Sequence, residues 1–405
     1  MITDVLVLGG GSAGMAAALK ARESGANVII VERENRLGGI LNQCIHNGFG
    51  LQVFKKELTG PEYASEYEKF VKNTDIKILL NTSVLKVTPN SVEVISPKGK
   101  YTIHAKAIVL AMGCRERPSA SISLCGTRPA GIITAGCAQK LINIYGKMIG
   151  KKVVIVGSGD IGLIMARRLI YEGASVVGVY EIMPTPSGLQ RNICQCLQDY
   201  NIPLYLGETV TEVVGKDRVE GVYVAKYNNG FDMTTRKFVE CDTILLSVGL
   251  TPENALVNDI VKLDSITGGP FVNEYYQTSC DSIFACGNVL HVHDIVDNVT
   301  RESELAGKYA GMFALNQLTK GKEINVTASK ELRYVLPNKI YLGKGIVTIK
   351  FRPSKKMIKP SIVVLCQGKE IYTREYNVLL PAEMQSIIID KSKITDDIIL
   401  KVVEK

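Results

Sequence analysis

A glycine loop behind an apolar run occurs twice in this chain, and the pair limits the possible folds more than any other feature. The first copy reads Gly9-Gly10-Gly11-Ser12-Ala13-Gly14 directly after Val5-Leu6-Val7-Leu8. The second reads Gly157-Ser158-Gly159-Asp160-Ile161-Gly162 directly after Val153-Val154-Ile155-Val156. Each opens a small-residue, helix-like stretch, Met15 to Arg22 and Leu163 to Gly173. An acid ends the next strand-like run in both copies: Glu32 after Val28-Ile29-Ile30-Val31, and Glu181 after Val176-Val177-Gly178-Val179-Tyr180. In such a βαβ unit the glycines let the backbone approach a pyrophosphate at a helix N-terminus. The acid, roughly 20 residues on, accepts hydrogen bonds from a ribose diol. One loop alone is a weak signal; two in register predict two dinucleotide sites.

A length of 405 residues allows two to three domains with full cores. The apolar share of 46% and charged share of 22% are those of an ordinary globular protein. No run of about 18 uncharged apolar residues occurs, so no transmembrane helix is predicted. A first strand beginning near Thr3 leaves no room for a signal peptide, and a cytoplasmic location is expected. The net charge of +8 is spread along the chain. Its densest patch, Lys355-Lys356 with Lys359, reads as a solvated turn, with an acidic partner's docking site as the other reading. No nucleic-acid motif accompanies the pI near 8.8. The cysteines at 44, 114, 125, 137, 194, 196, 241, 280, 286 and 366 form no C-x-x-C and no zinc or iron–sulfur spacing. Reduced, mostly buried thiols are expected, with no metal.

Strand-like runs follow the first unit at Ile76 to Leu80, Val84 to Val87, Val92 to Ile95, Tyr101 to His104 and Ala107 to Gly113. After the second unit come Leu204-Tyr205, Val219 to Lys226 and Thr243 to Val248. The halves thus repeat one pattern: glycine loop, acid, hairpin strands, and a buried strand ending in Gly before a Pro. Ser282 to Asn288 reads as a further buried strand and turn, and Asn298 to Leu315 as a helix with Leu305, Ala306, Tyr309 and Phe313 on one face. From about Ala328 the period changes to short β-like runs, which predicts a separate β-sandwich.

Together these motifs resemble the two-dinucleotide-binding flavoproteins, the pyridine-nucleotide disulfide oxidoreductase superfamily, over about residues 1 to 325. The resemblance implies an α/β protein with two Rossmann-like domains, the second inserted in the first. An FAD-binding domain would occupy 1–115 and 249–327, an NAD-binding domain 116–248, and a C-terminal β-rich module 328–405. It implies FAD contacts at Gly9, Gly11, Ser12, Ala13, Gly14, Glu32, Arg33, Gly38, Gly39, Ala111, Gly113, Gly287 and Asn288. NAD contacts are implied at Gly157, Gly159, Asp160, Ile161, Gly162, Glu181 and Gly249. Glu32 favours FAD over FMN, which has no adenosine ribose, and Glu181 favours NAD because its charge repels a 2′-phosphate.

The chain departs from the superfamily at two places. An Asp that contacts the flavin ribityl region in the family is Asn288 here. Leu41 and His46 fall about where a glutathione-reductase-type cysteine pair would be, which predicts no dithiol relay and no disulfide reductase activity. The stretches Gly39 to Gly50, Leu58 to Ala64, Arg128 to Gly136 and Gly287 to Asp294 are similar to a narrower group of flavoprotein subunits. These accompany a second flavoprotein, as in hydrogen cyanide synthase, opine oxidase and dye-linked proline dehydrogenase. Others accompany a glycerol-3-phosphate-dehydrogenase-like protein and a small cysteine-containing protein. The likeness implies an FAD- and NAD-linked electron-transfer component of a homo- or hetero-oligomer. A stand-alone NADH oxidase or peroxidase working through Cys44, and a partner-docking scaffold, are the competing readings. His46 and Cys44 are the candidate catalytic residues, the first as a proton donor and the second as a lone redox thiol. His291 and His293 share His46's placement near the expected flavin.

Overall fold

The apolar run of the first unit is a strand, Ile2–Leu8, whose side chains are buried on both faces of its sheet. Val5 and Val7 face the helices Ser12–Glu23, Gly60–Lys72 and Val296–Ala314, whereas Leu6 and Leu8 face the opposite layer. A parallel strand covered on both sides has no face to spare for polar residues, so its sequence is continuously apolar. The computed structural model describes residues 1–404. The sheet runs Lys77–Leu79, Val28–Val31, Ile2–Leu8, Gly99–Leu110, Ser91–Ser96, Ser83–Thr88, and Ile283–Ala285 also pairs with Gly99–Leu110.

The runs expected as separate strands at Tyr101 to His104 and Ala107 to Gly113 are one strand, Gly99–Leu110. Its first half pairs antiparallel with Ser91–Ser96 in a hairpin and is only partly covered. Its second half pairs parallel with Ile2–Leu8 and is fully buried. The change of neighbour, not a break in the chain, produces the change of pattern. The late helix starts earlier than expected, at Val296, and buries a different face: Ala306, Gly307, Ala310 and Gly311, with Leu305 exposed. A Cβ on Gly307 would overlap the Ala17 carbonyl of the first helix. Close backbone approach therefore selects small residues there, and the large apolar ones turn outward.

Residues Arg115–Thr251 form a second compact unit. Its parallel sheet runs Ile132–Thr134, Thr243–Leu246, Lys152–Val156, Ser175–Glu181, Leu204–Leu206. Val153 and Ile155 pack on helices, and Val154 and Val156 on a four-stranded sheet that includes Glu208–Gly215 and Val219–Tyr227.

The C-terminal module belongs to the first unit and opens with the strand Glu323–Ala328, upstream of the expected boundary. Its larger sheet runs Lys339–Tyr341, Glu323–Ala328, Ile398–Glu404, Pro360–Cys366, Lys369–Glu375; the smaller runs Leu332–Leu336, Ile346–Pro353, Gln385–Asp390. Val347, Ile349 and Phe351 from one sheet meet Ile362, Val364, Ile398 and Leu400 from the other. Among the described residues no helix is long and apolar enough to cross a membrane.

Candidate nucleotide sites and a buried ionic cluster

The first glycine loop is shaped by what its glycines exclude. Gly9 has φ +105, and a Cβ there would lie 2.5 Å from the Ala111 carbonyl oxygen. A Cβ on Gly14 would overlap the Gly9 carbonyl, so the helix Ser12–Glu23 sits directly on the turn. At Gly11, by contrast, a Cβ would meet only Gly39 Cα at 3.9 Å. Gly11 caps the helix without a side chain and the first turn carries no acid, which leaves the orphan amides and the positive end of the helix dipole for an anion. Gly38 N donates to Gly10 O at 2.9 Å and bridges Gly11, so Gly38 and Gly39 join the same wall.

Glu32 is buried; its carboxylate accepts from Gly10 N at 2.7 Å and from Glu34 N at 2.8 Å. Each oxygen keeps acceptor capacity, which a ribose diol can fill. Ala13 and Gly287 touch, since a Cβ on Gly287 would lie 2.9 Å from Ala13 Cβ. This brings the late turn Gly287–Val289 to the first loop. Asn288 uses both ends of its amide within the protein: Oδ1 accepts from His293 N at 3.0 Å and Nδ2 donates to Cys114 Sγ at 3.6 Å. Gly113 (φ +73) has open space around it, and Arg33 is exposed.

The second loop repeats the construction. A Cβ on Gly157 (φ +87) would overlap the Ser247 carbonyl, one on Gly162 would lie 2.5 Å from Ser247 Cβ, and one on Gly159 would lie 2.9 Å from Ser247 Oγ. Glu181, also buried, is more heavily engaged than Glu32. It accepts from Ser158 N at 2.9 Å, Ser158 Oγ at 2.6 Å, Ser187 Oγ at 3.3 Å and Met183 N at 3.0 Å. The two hydroxyls can rotate away from an incoming ribose, so the acid still fits that role. Asp160 begins the helix Asp160–Tyr171, but its carboxylate accepts from Leu189 N at 2.8 Å and Asn192 Nδ2 at 2.6 Å, tying the 189–192 segment to the loop. Ile161 is half-buried on that helix. Gly249 (φ +96) accepts at its carbonyl from Arg117 N at 3.1 Å. Ser158, Ser187 and the acid Glu116, which accepts from Gly136 N and Cys137 N at the start of the helix Ala135–Tyr145, were not among the sequence candidates.

The residues expected to carry chemistry fall in two places. His46 lies in the loop after the 3₁₀ turn Gly39–Gln43, with Nδ1 3.0 Å from Asn47 O and its ring 5.0 Å from Phe49. Burial pushes the Cys44 thiol up to about 12, and its Sγ donates to Ile40 O at 3.3 Å, so the thiolate needed for redox work is scarce near neutral pH. All ten cysteines are reduced thiols. Tyr63 and Tyr67 are packing residues: they stack on each other, and the Tyr63 hydroxyl meets Thr300 Oγ1 at 2.7 Å.

His291 and His293 converge on Glu302, which sequence reasoning missed; the only signal is an acid on the small-residue face of the late helix. Glu302 Oε1 accepts from Gly287 N at 2.8 Å; Oε2 faces His291 Nε2 at 2.9 Å, His293 Nε2 at 3.4 Å and the ammonium of Lys350. Burial alone would raise the Glu302 carboxyl, but Lys350 first and the imidazoles after it hold it well below the usual carboxylate range. Burial, reinforced by His293, lowers His291 to about 3. The ring is therefore neutral, with Nε2–H donating to Glu302 and Nδ1 accepting from Tyr334 OH at 3.2 Å.

Two Rossmann-type units, each with a glycine cradle and a buried ribose acid, define a dinucleotide-dependent oxidoreductase. The chain belongs to the pyridine nucleotide-disulphide oxidoreductase family, whose model matches residues 3–308. Members of this family use FAD and NAD(P)H. The chain is 26% identical over 335 residues to NAD(P)H sulfur oxidoreductase (CoA-dependent) of Pyrococcus abyssi, spanning 79% of this chain and 70% of that protein. It is 22% identical to an opine oxidase subunit of Agrobacterium tumefaciens over 92% of this chain and 77% of that one. Among solved structures, thioredoxin reductase of T. acidophilum has the same fold over 78% of this chain and 99% of its own, with a TM-score of 0.62 and 24% identity.

Proposed function

We propose that this chain is an FAD-dependent NAD(H) oxidoreductase that passes electrons between NAD and an acceptor outside the chain. In this reading it is one subunit of a complex that oxidises glycerol 3-phosphate or an amino or hydroxy acid. The observation that carries it is the pair of buried acids, Glu32 and Glu181, each hydrogen-bonded to its own glycine loop. When bound, FAD and nicotinamide supply a hydride transfer between nicotinamide C4 and flavin N5. The chain's own part is to seat two pyrophosphates on the helices that start at Ser12 and Asp160, and to fix two riboses through the acids. Glu181 favours NAD over NADP by charge repulsion, and Arg168, on the helix after the loop, is committed to Glu172 at 2.6 Å.

The reduced thiols, the high Cys44 pKa, and Leu41 and His46 at the positions of the family's cysteine pair support transfer without a dithiol relay. The likeness to the opine oxidase protein over nearly the whole chain supports a place beside a second flavoprotein dehydrogenase, together with a small cysteine-containing electron-transfer protein. Stopped-flow absorbance of the FAD-loaded protein mixed with NADH or NADPH tests the reading. Flavin bleaching by NADH, faster than by NADPH, is expected, with no turnover of thioredoxin or low-molecular-weight disulfides. No bleaching by either nucleotide refutes the reading, and NADH-driven disulfide turnover assigns a reductase instead. Loss of oxygen or peroxide turnover in Cys44→Ser assigns the Cys44 enzyme.

A further inference from the structure

The strand Ile346–Pro353 is buried on both faces, but only one face is apolar. Val347, Ile349 and Phe351 enter the core of the β module. The alternate residues Lys350 and Arg352, which a period of two would ordinarily give to solvent, point at the FAD-binding half instead. Arg352 pairs with Asp294 at 2.6 Å, and Lys350 pairs with Glu302. Lys391, from the turn after Gln385–Asp390, pairs with Glu274 at 2.8 Å. In all three pairs the cation comes from the β module and the anion from residues 274–302. The pairs are nearly dry: Glu302 has a side-chain exposure of 0% and Lys350 of 11%.

The three pairs do not sit equally. Glu302 Oε1 holds the amide of Gly287, whose φ of +70 and contact with Ala13 fix the turn against the first glycine loop. Glu302 can hold that amide as an anion only while a cation balances it. The charged and titratable groups around it are His291, His293, Lys350 and Cys286, with Tyr276 and Tyr334 behind them. Lys350 is the one permanent cation among them. A divalent cation on the two imidazoles and Glu302 would have to displace Lys350 from the same carboxylate oxygen, so the site is already neutralised from within the chain.

We propose that Lys350 is a positioning residue for the flavin site: by compensating Glu302 it holds the Gly287-Asn288 turn, and so makes FAD affinity depend on the C-terminal module. The inference rests on the FAD assignment of the first loop. Lys350→Met leaves a buried anion that a proton must neutralise, so FAD binding should weaken about tenfold at pH 8 and recover toward pH 6. Glu302→Gln leaves a buried ammonium that must lose its proton, and the pH slope should have the opposite sign. The double variant Lys350→Met/Glu302→Gln removes both charges and should bind FAD close to wild type, without a pH slope from this cluster.

The experiment is titration of each apoprotein with FAD, followed by flavin fluorescence between pH 6 and 9, with far-ultraviolet circular dichroism reporting folding. Opposite slopes in the single variants and rescue in the double establish the inference. Unchanged affinity in both singles, slopes of one sign, or a double variant no better than the singles overturns it. If Lys350→Met does not fold, Glu302→Gln and the double variant still decide the question. Failure of the wild-type chain to bind FAD refutes the underlying assignment instead.

Discussion

At the scale of single residues, the site is controlled by atoms that are absent as much as by those present. Gly14 has no room for a Cβ against the Gly9 carbonyl. Gly14→Ala is therefore expected to cost about 1–3 kcal/mol or more, because the helix must lift off the turn. Chemical denaturation should show that loss together with loss of FAD binding. Glu181 gives the second prediction. Replacing it with Ala removes a buried acceptor for Ser158, Ser187 and the ribose, so the Kd for NADH should rise about tenfold and the preference over NADPH should narrow. Nucleotide titrations of the two proteins check both effects. Glycines and terminal acids were legible in the sequence because only their types satisfy the turn and the diol. Ser158 and Ser187 were not, since a serine in a loop has many uses and only the fold shows both hydroxyls on one carboxylate.

At the scale of elements, helix contact and buried charge decide stability. Gly307 lies where the late helix meets the Ala17 backbone of the first, so Gly307→Ala should force the pair apart and lower the midpoint of thermal unfolding. The His291 segment predicts a pH dependence. Its imidazole has a folded-state pKa of about 3 against an ordinary 6.5. Between those values the unfolded chain binds a proton that the folded chain refuses, so stability rises with pH across that window and falls on acidification. Glu302, depressed below its ordinary 4.5, acts in the same direction: its contribution is present above about that pH and is lost below it. Urea titrations at pH 4.5 and 7 should show the decline, and His291→Asn should make it shallower. The helix was expected from its periodicity, but the buried face was misplaced at Leu305. Hydrophobic size suggested the wrong side, because the real contact is close enough to admit only Ala and Gly.

At the scale of the whole molecule, the β module is a structural part of the first unit rather than an attached docking piece. Removing residues after Ala328 leaves Glu274, Asp294 and Glu302 without their cations. Breaking one such buried pair typically costs about 3–5 kcal/mol, comparable to the entire stability of many domains. The truncated chain is therefore expected not to fold, which circular dichroism and solubility would show. Two dinucleotide units, their order and the β-rich tail could be read from the sequence by itself, because glycine turns, strand acids and hydrophobic period are local signals. Local pattern places Lys350 on the outward face of its strand and His291 in a polar loop. Only the tertiary structure, which buries both against Glu302, gives them their surroundings. The physical reason is that an ion pair in the core is a property of two distant segments and exists in neither one alone.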